Sequence, residues 1–285
     1  MKKIFFSICL LIFIVESKYF LTSGFNIKKI FYNPDFRRDL EINEDFSKYL
    51  PILNQKFFYL SKGRQCFVFE SEDKKYVLKF IRYHKYRYPL WAEILSYLKI
   101  LSKNQISLLK EKKERYERAM NSYKIAYEDL KDITKVVYIH LNQTDFLKKK
   151  VVIRDSLKID HEVELDKVGF ILQKKENNLK DVFFKFNDEN NKKIIKSFFG
   201  SISYMLRKNI TNIDILNLIR NSGCENNDFV IIDVGSFLKN SDKKILRKTF
   251  FKCSYELEKF LREKGDRYLP FFEEVKRKEI VWLEK

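Results

Sequence analysis

Leu60-Ser61-Lys62-Gly63-Arg64-Gln65-Cys66-Phe67-Val68-Phe69, followed by Tyr76-Val77-Leu78-Lys79-Phe80-Ile81, decides how this chain is read. Phe57 to Leu60, Cys66 to Glu70 and Tyr76 to Ile81 are short runs rich in aromatic and β-branched residues, the composition of strands. The polar stretch Ser71 to Lys75 separates the last two as a hairpin turn. Three antiparallel strands in succession are therefore predicted. The first hairpin holds a single glycine, Gly63, in a tight strand–turn–strand.

Small residues in such a turn let backbone amides approach phosphates, and an apolar residue just after it packs on a purine ring. Gly63 occupies the middle small position, Ser61 and Cys66 the outer two, and Val68 the adenine-packing position. Eleven residues after Val68 stands Lys79, a cation within an apolar strand. Burying it is costly without a carboxylate partner. Glu128, on a long helix predicted from Ser102 to Lys131, is the first choice, and Glu117 on the same flank is the second. Farther on, the apolar strand Phe229 to Ile232 ends in Asp233-Val234-Gly235, where an Asp can present a Mg²⁺ ligand to nucleotide phosphates.

Working outward, the long helix carries a stripe of Ile106, Leu109, Tyr116, Met120, Tyr123, Tyr127 and Leu130 at three- and four-residue steps. Strands are predicted at Val136 to Leu141, Val151 to Arg154 and Val168 to Gln173, and Lys174 to Asn178 reads as a linker. Ile195, Phe198, Phe199, Ile202, Met205 and Leu206 mark one helix face. A loop-rich segment, Lys208 to Asn227, precedes the Phe229 strand. Leu246, Phe250, Cys253, Leu257, Phe260 and Leu261 line a further helix that Gly265 ends. Ser23 to Leu53 shows no clear pattern.

In that order the chain, from about Leu53 to Gly265, resembles the protein-kinase-like superfamily, and most of all its divergent members, including bacterial kinase-like proteins. The resemblance implies an α+β fold of two lobes, a β-rich N-lobe with one long helix at 53–175 and a reduced helical C-lobe at 176–285; ahead of them the sequence itself gives a leader or short membrane anchor at 1–19 and an N-terminal extension at 20–52. It also implies ATP and Mg²⁺, with Lys79 on the phosphates, Glu128 as its partner and Asp233 on the metal. The family places an Asp base five residues before a metal-binding Asn. That spacing fits Asn212 and Asn217, which loses the base, because an amide cannot accept a hydroxyl proton. A second register takes Asp214 as base and Asn221 as metal ligand, with Asn221 twelve residues before Asp233. Both registers stay open. No His-Arg precedes either, no Ala-Pro-Glu follows, and only 50 residues lie beyond Gly235.

The chain has 285 residues, 45% of them hydrophobic and 16% aromatic, enough for a packed core and too many for a disordered chain. Its net charge of +18 favours anionic surfaces. Lys, Asn, Ile and Phe are abundant throughout, as in proteins from AT-rich genomes. Lys2 and Lys3 followed by the uncharged run Ile4 to Val15 suit a signal peptide, which needs roughly 7–15 apolar residues, better than a spanning helix of about 20. Export is expected. Cys9 lies in that run; Cys66, Cys224 and Cys253 form no CxxC pair and have no His at ligand spacing, so lone buried thiols are expected. Hydrolase elbow, GxGxxG and Walker patterns are absent, and so is a ribonucleoprotein aromatic signature.

Three functions follow from this reading. The first is an exported pseudokinase acting through an unknown protein partner. The second is an active atypical kinase. The third is a basic protein bound to an anionic membrane surface through runs such as Lys148-Lys149-Lys150 and Lys243-Lys244. A monomer is expected, and nucleic acid is not the expected partner.

Overall fold

Alternating burial sets the first strands. β1 (Phe57–Lys62), β2 (Cys66–Ser71) and β3 (Tyr76–Ile81) pair antiparallel in succession, as predicted. In β2, Phe67, Phe69 and Ser71 are buried while Val68 and Glu70 are partly open. β3 is buried on both faces from Val77 onward, as suits a central strand. Its turn is held by Ser71, whose hydroxyl donates to Asp73 Oδ1 at 2.7 Å and accepts the Tyr76 amide at 2.9 Å. The computed structural model describes residues 20–31, 37–87, 90–98, 102–263 and 266–283. The leader, Cys9 and the helix stop at Gly265 lie outside the described residues.

Four more strands complete a seven-stranded sheet: β4 (Val136–His140), β5 (Lys150–Arg154), β6 (Asp160–Glu164) and β7 (Phe170–Lys174). The order is β4-β7-β3-β2-β1-β5-β6, with β1 and β5 parallel. β6 has too little apolar character to be read from sequence. It pairs antiparallel with β5, with Val163 buried opposite Val151 and Asp160 opposite Arg154, which binds it through two bonds of 2.7 and 2.9 Å. Residues 20–52 also contribute to this core. Phe25 packs edge-on against Phe67 and Phe69 at 5.1 and 5.3 Å, and Tyr49 lies 4.9 Å from Tyr138 between ring centres.

The chain divides into two compact units, one comprising residues up to Arg115 with Tyr138–Lys175, the other Tyr116–Val137 with Glu176–Lys285. After helix α1 (Leu90–Tyr97), the long helix α2 (Lys103–Glu128) gives its first half to one unit and its second half to the other. The predicted stripe is core only in the second half: Met120, Tyr123 and Tyr127 are buried, whereas Ile106 is 53% exposed.

In the second unit α3 (Asp188–Arg207) buries the predicted Ile195, Phe198, Phe199, Ile202, Met205 and Leu206. Asn187 caps its first turn by accepting the Asn190 amide, and Asn209 follows its end at φ 58°. α4 (Lys243–Arg262) buries all six predicted positions. α5 (Leu269–Ile280), which the sequence reading omits, opens with Pro270 in its first turn and seats Phe272 5.3 Å from Phe199. The architecture is α+β. Cys66, Cys224 and Cys253 form no disulfide and are buried, and burial pushes the Cys253 thiol up to about 12, so it stays protonated and inert.

One histidine gives a pH-dependent expectation. His84 is partly buried, its Nδ1 3.4 Å from the Lys29 carbonyl oxygen, and burial lowers its pKa to about 4, helped by the charges of Arg82, Lys29 and Lys85. The unfolded chain takes up this proton near 6.5. Between those values the unfolded state binds more protons, so the contribution is complete above 6.5 and is lost as pH falls toward 4. His84→Gln should flatten this loss, measured as urea midpoints at pH 7 and pH 4.5; an equally steep loss in the variant would assign it elsewhere.

Candidate functional site

In the first unit, Val68 of β2 stands directly opposite Lys79 of β3, and Ile171 of β7 stands opposite Lys79 on the other side. Directly paired residues share a face, so Lys79, 8% exposed, projects between two apolar side chains. The hairpin carrying Gly63 is drawn onto β3. Arg82, buried after the end of β3, donates from Nη1 to the Gly63 carbonyl at 2.8 Å, and its amide donates to Gln65 O at 2.9 Å. Its guanidinium lies 4.9 Å from the Phe67 ring centre. Sequence reading missed Arg82, whose position at the end of the Lys79 strand was the available signal.

Gly63 does not adopt a positive φ, and an added Cβ would meet nothing nearer than the Cys66 carbonyl at 3.6 Å. Gly63→Ala should therefore shift unfolding stability by less than about 0.5 kcal/mol, checked by denaturant titration. A larger loss would mean that the turn needs backbone freedom this conformation does not use.

The second unit builds its site on a hairpin. After β8 (Asn177–Asn178) and β9 (Ile210–Asn212), the chain runs through a loop into β10 (Ser222–Glu225), which turns directly into β11 (Asp228–Ile231). Asn226 and Asn227 take φ values of 50° and 71°, the two positive dihedrals of a two-residue type I′ turn. This turn fixes the register, Ser222 opposite Ile231 and Gly223 opposite Val230. Extending the ladder by one step puts Asn221 opposite Ile232. The Asn221 carbonyl accepts the Ile232 amide at 2.9 Å and the Asp233 amide at 3.3 Å.

Asn221 and Asp233 are thereby side by side, with Asn221 Nδ2 3.5 Å from Asp233 Oδ2. Gly235 donates its amide to Asp233 Oδ1 at 3.1 Å, and Asp233 itself is exposed. The loop behind them is anchored by Ser122 of α2. Its hydroxyl donates to the Val234 carbonyl at 2.6 Å and accepts the Phe237 amide, the first residue of β12 (Phe237–Lys239), at 2.7 Å. Ser122 was missed in the sequence. It is a small polar residue on the apolar side of α2, flanked by Ala119, Tyr123 and Ala126, and that placement was the legible sign.

Asp214, half-exposed, opens the loop. Its Oδ1 accepts Asn217 Nδ2 at 2.7 Å, and its amide donates to Asn212 Oδ1 at 2.8 Å. Asn212 is 5% exposed, and its side-chain oxygen is engaged in that turn. The geometry thus pairs Asn221 with Asp233 and Asn217 with Asp214. Glu128 is exposed at the end of α2, 3.7 Å from Lys124 of the same helix.

Asp233 and Asn221 fit a Mg²⁺ ion by their chemistry. A hard cation takes a carboxylate oxygen and an amide oxygen, and leaves further positions for water and phosphate. The Asn221 amide assignment follows from the hydrogen-bond network, and half a turn about its last bond presents oxygen in place of nitrogen. Among the described residues no group of three or more His, Cys, Asp or Glu side chains forms a metal cluster.

No family model and no curated protein matches the sequence. Among solved structures the chain is similar to the bifunctional kinase-methyltransferase WbdD, at 15% identity over 78% of this chain and a TM-score of 0.40; the chain spans about half the length of WbdD, 45%. It is also similar to the aminoglycoside phosphotransferase APH(2")-IIa, seen in a ternary complex with streptomycin and ATP, at 11% identity over 84% of this chain and 87% of that one, with a TM-score of 0.35. These neighbours are kinase-like phosphotransferases.

Proposed function

We propose that this chain is a divergent kinase-like protein that binds ATP with Mg²⁺ and transfers phosphate to a hydroxyl acceptor. The observation that carries the reading is the Asn221–Asp233 pair created by the β10–β11 hairpin, with Asp214 on the same loop. Asp233 and Asn221 would hold the ion, which when bound neutralises charge on the phosphates. Asp214, kept in place by Asn217, would accept the acceptor's proton. Lys79 would donate to phosphate oxygens, and Val68 would offer an apolar surface to the adenine.

The pseudokinase reading is favoured by one observation, the Gly63 hairpin. Its outer small positions hold Ser61 and buried Cys66, and Arg82 ties the turn down. Thermal denaturation with and without ATP–Mg²⁺ tests nucleotide binding. A midpoint rise in the wild type that is lost in Lys79→Ala supports the proposal, and no rise in the wild type rejects the phosphotransfer reading and leaves the pseudokinase one. ATP turnover above background then separates enzyme from pseudokinase. Export through residues 4–15 is part of the same proposal. Recovery of the chain only inside the producing cell, with Met1 retained, would reject it; no helix among the described residues is long and apolar enough to cross a membrane.

A further inference from the structure

Beside the Asp214 loop lies a cavity of about 140 Å³, formed within the second unit. Asn217 lines it and donates to Asp214 at 2.7 Å, so one side chain joins the cavity to the carboxylate assigned as base, which does not itself line it. Three cations line it: Lys180 from the turn after β8, Arg220 immediately before Asn221, and Lys259 of α4. Glu256 and Glu263, three and four residues from Lys259 on its own helical face, line the cavity too, so they more than offset Lys259 and leave the lining a net charge of +1 that Lys180 and Arg220 supply. Lys180 and Arg220 come from other segments, and among the described residues neither shows an ion pair. Phe260 supplies a buried aromatic wall.

We propose that this cavity holds the phosphate acceptor, and that the acceptor carries a phosphate or carboxylate group gripped by Arg220 and Lys180. The proposal rests on the phosphotransfer reading and adds the substrate class to it. An Arg fork and an ammonium converging on one hollow match the lone pairs of such a group and form charge-assisted bonds with it. A neutral polyol gains nothing from them, and a polycation is repelled. With the anion held there, the acceptor's hydroxyl is directed toward Asp214. The oxygen attacks the γ-phosphorus of ATP and its proton passes to the Asp214 carboxylate. The bond from that phosphorus to the β,γ-bridging oxygen breaks, and ADP leaves with the electron pair. Leu216, 81% exposed, and Ile213, 63% exposed, give the same loop an apolar flank for the rest of the acceptor.

The test is calorimetric titration of the full chain with glycerol 3-phosphate and with glycerol, in the presence of saturating ATP–Mg²⁺ and again without it. Saturable binding of glycerol 3-phosphate, absent for glycerol and weakened roughly tenfold or more in Arg220→Gln and in Lys180→Gln, is expected. Lack of binding, or binding in the variants as tight as in the wild type, overturns the assignment, as does displacement of the probe by ATP–Mg²⁺, which would place it in the nucleotide's own phosphate site. The ATP-dependent thermal shift is read on the same proteins. If it persists while the probe fails, the acceptor assignment falls alone; if it is missing in the wild type, the nucleotide reading falls first.

Discussion

Asp233→Asn should cut ATP turnover by at least about 10²-fold while leaving the fold intact. Asp233 is exposed, and its Oδ1 serves the structure only by accepting the Gly235 amide at 3.1 Å, which an Asn oxygen also accepts. What the substitution removes is the negative charge. A Mg²⁺ ion draws its affinity from one or two carboxylates, and among the paired groups here Asp233 supplies the only one, Asn221 being an amide. The loss should therefore appear mainly as a need for far more Mg²⁺. Asn221→Ala should cost less, since it removes a neutral ligand. Turnover measured across a Mg²⁺ series, together with unfolding midpoints, checks both. Turnover in Asp233→Asn equal to wild type would remove Asp233 from the phosphotransfer machinery, and a collapsed midpoint would show that the carboxylate is structural.

Much of the architecture was legible because apolar periodicity survives in this sequence. β1 to β3, the buried faces of α3 and α4, and the apolar β11 all announce themselves by spacing. What escaped had another origin. β6 is an edge strand with charge pairs and one buried valine, Val163, α5 is short with two buried side chains, and residues 20–52 join the sheet's core through single aromatic contacts rather than a pattern. The N-terminal half of α2 shows the opposite error. Its spacing is amphipathic, yet Ile106 stays exposed, because periodicity reports a face and not whether anything covers it.

The candidate residues were named from the sequence one by one, without the contacts between them. Asp233 followed from an Asp at the end of an apolar strand. Spacing favoured the register of Asp214 and Asn221 only slightly over that of Asn212 and Asn217, since spacing does not reveal which residue faces which. The Asn226-Asn227 turn carries that information: a two-residue I′ hairpin makes Asn221 the neighbour of Ile232 and Asp233. Residues two strands apart in sequence are brought together by a turn whose chemistry is local, so the missing step was recognition of one dipeptide.

The second large effect belongs to Ser122, which links helix α2 to that loop. Its side chain is fully buried and makes two bonds, 2.6 Å to Val234 O and 2.7 Å from Phe237 N. Val234 and Phe237 are themselves buried, so water has no easy route to replace the hydroxyl. Ser122→Ala leaves one donor and one acceptor without a partner, at about 1–3 kcal/mol each, and a loss of about 2–5 kcal/mol in unfolding free energy is expected from urea titration. The added cavity is a single oxygen and contributes little beside that penalty. Because Val234 follows Asp233 directly, the variant should also raise the Mg²⁺ concentration needed for ATP-dependent stabilisation, whereas Ser122→Thr, which keeps the hydroxyl, should recover part of both effects unless its methyl group clashes. A Ser122→Ala protein as stable as the wild type would show that the loop finds other partners. Normal stability with impaired Mg²⁺ dependence would show that the serine positions Asp233 without holding the fold.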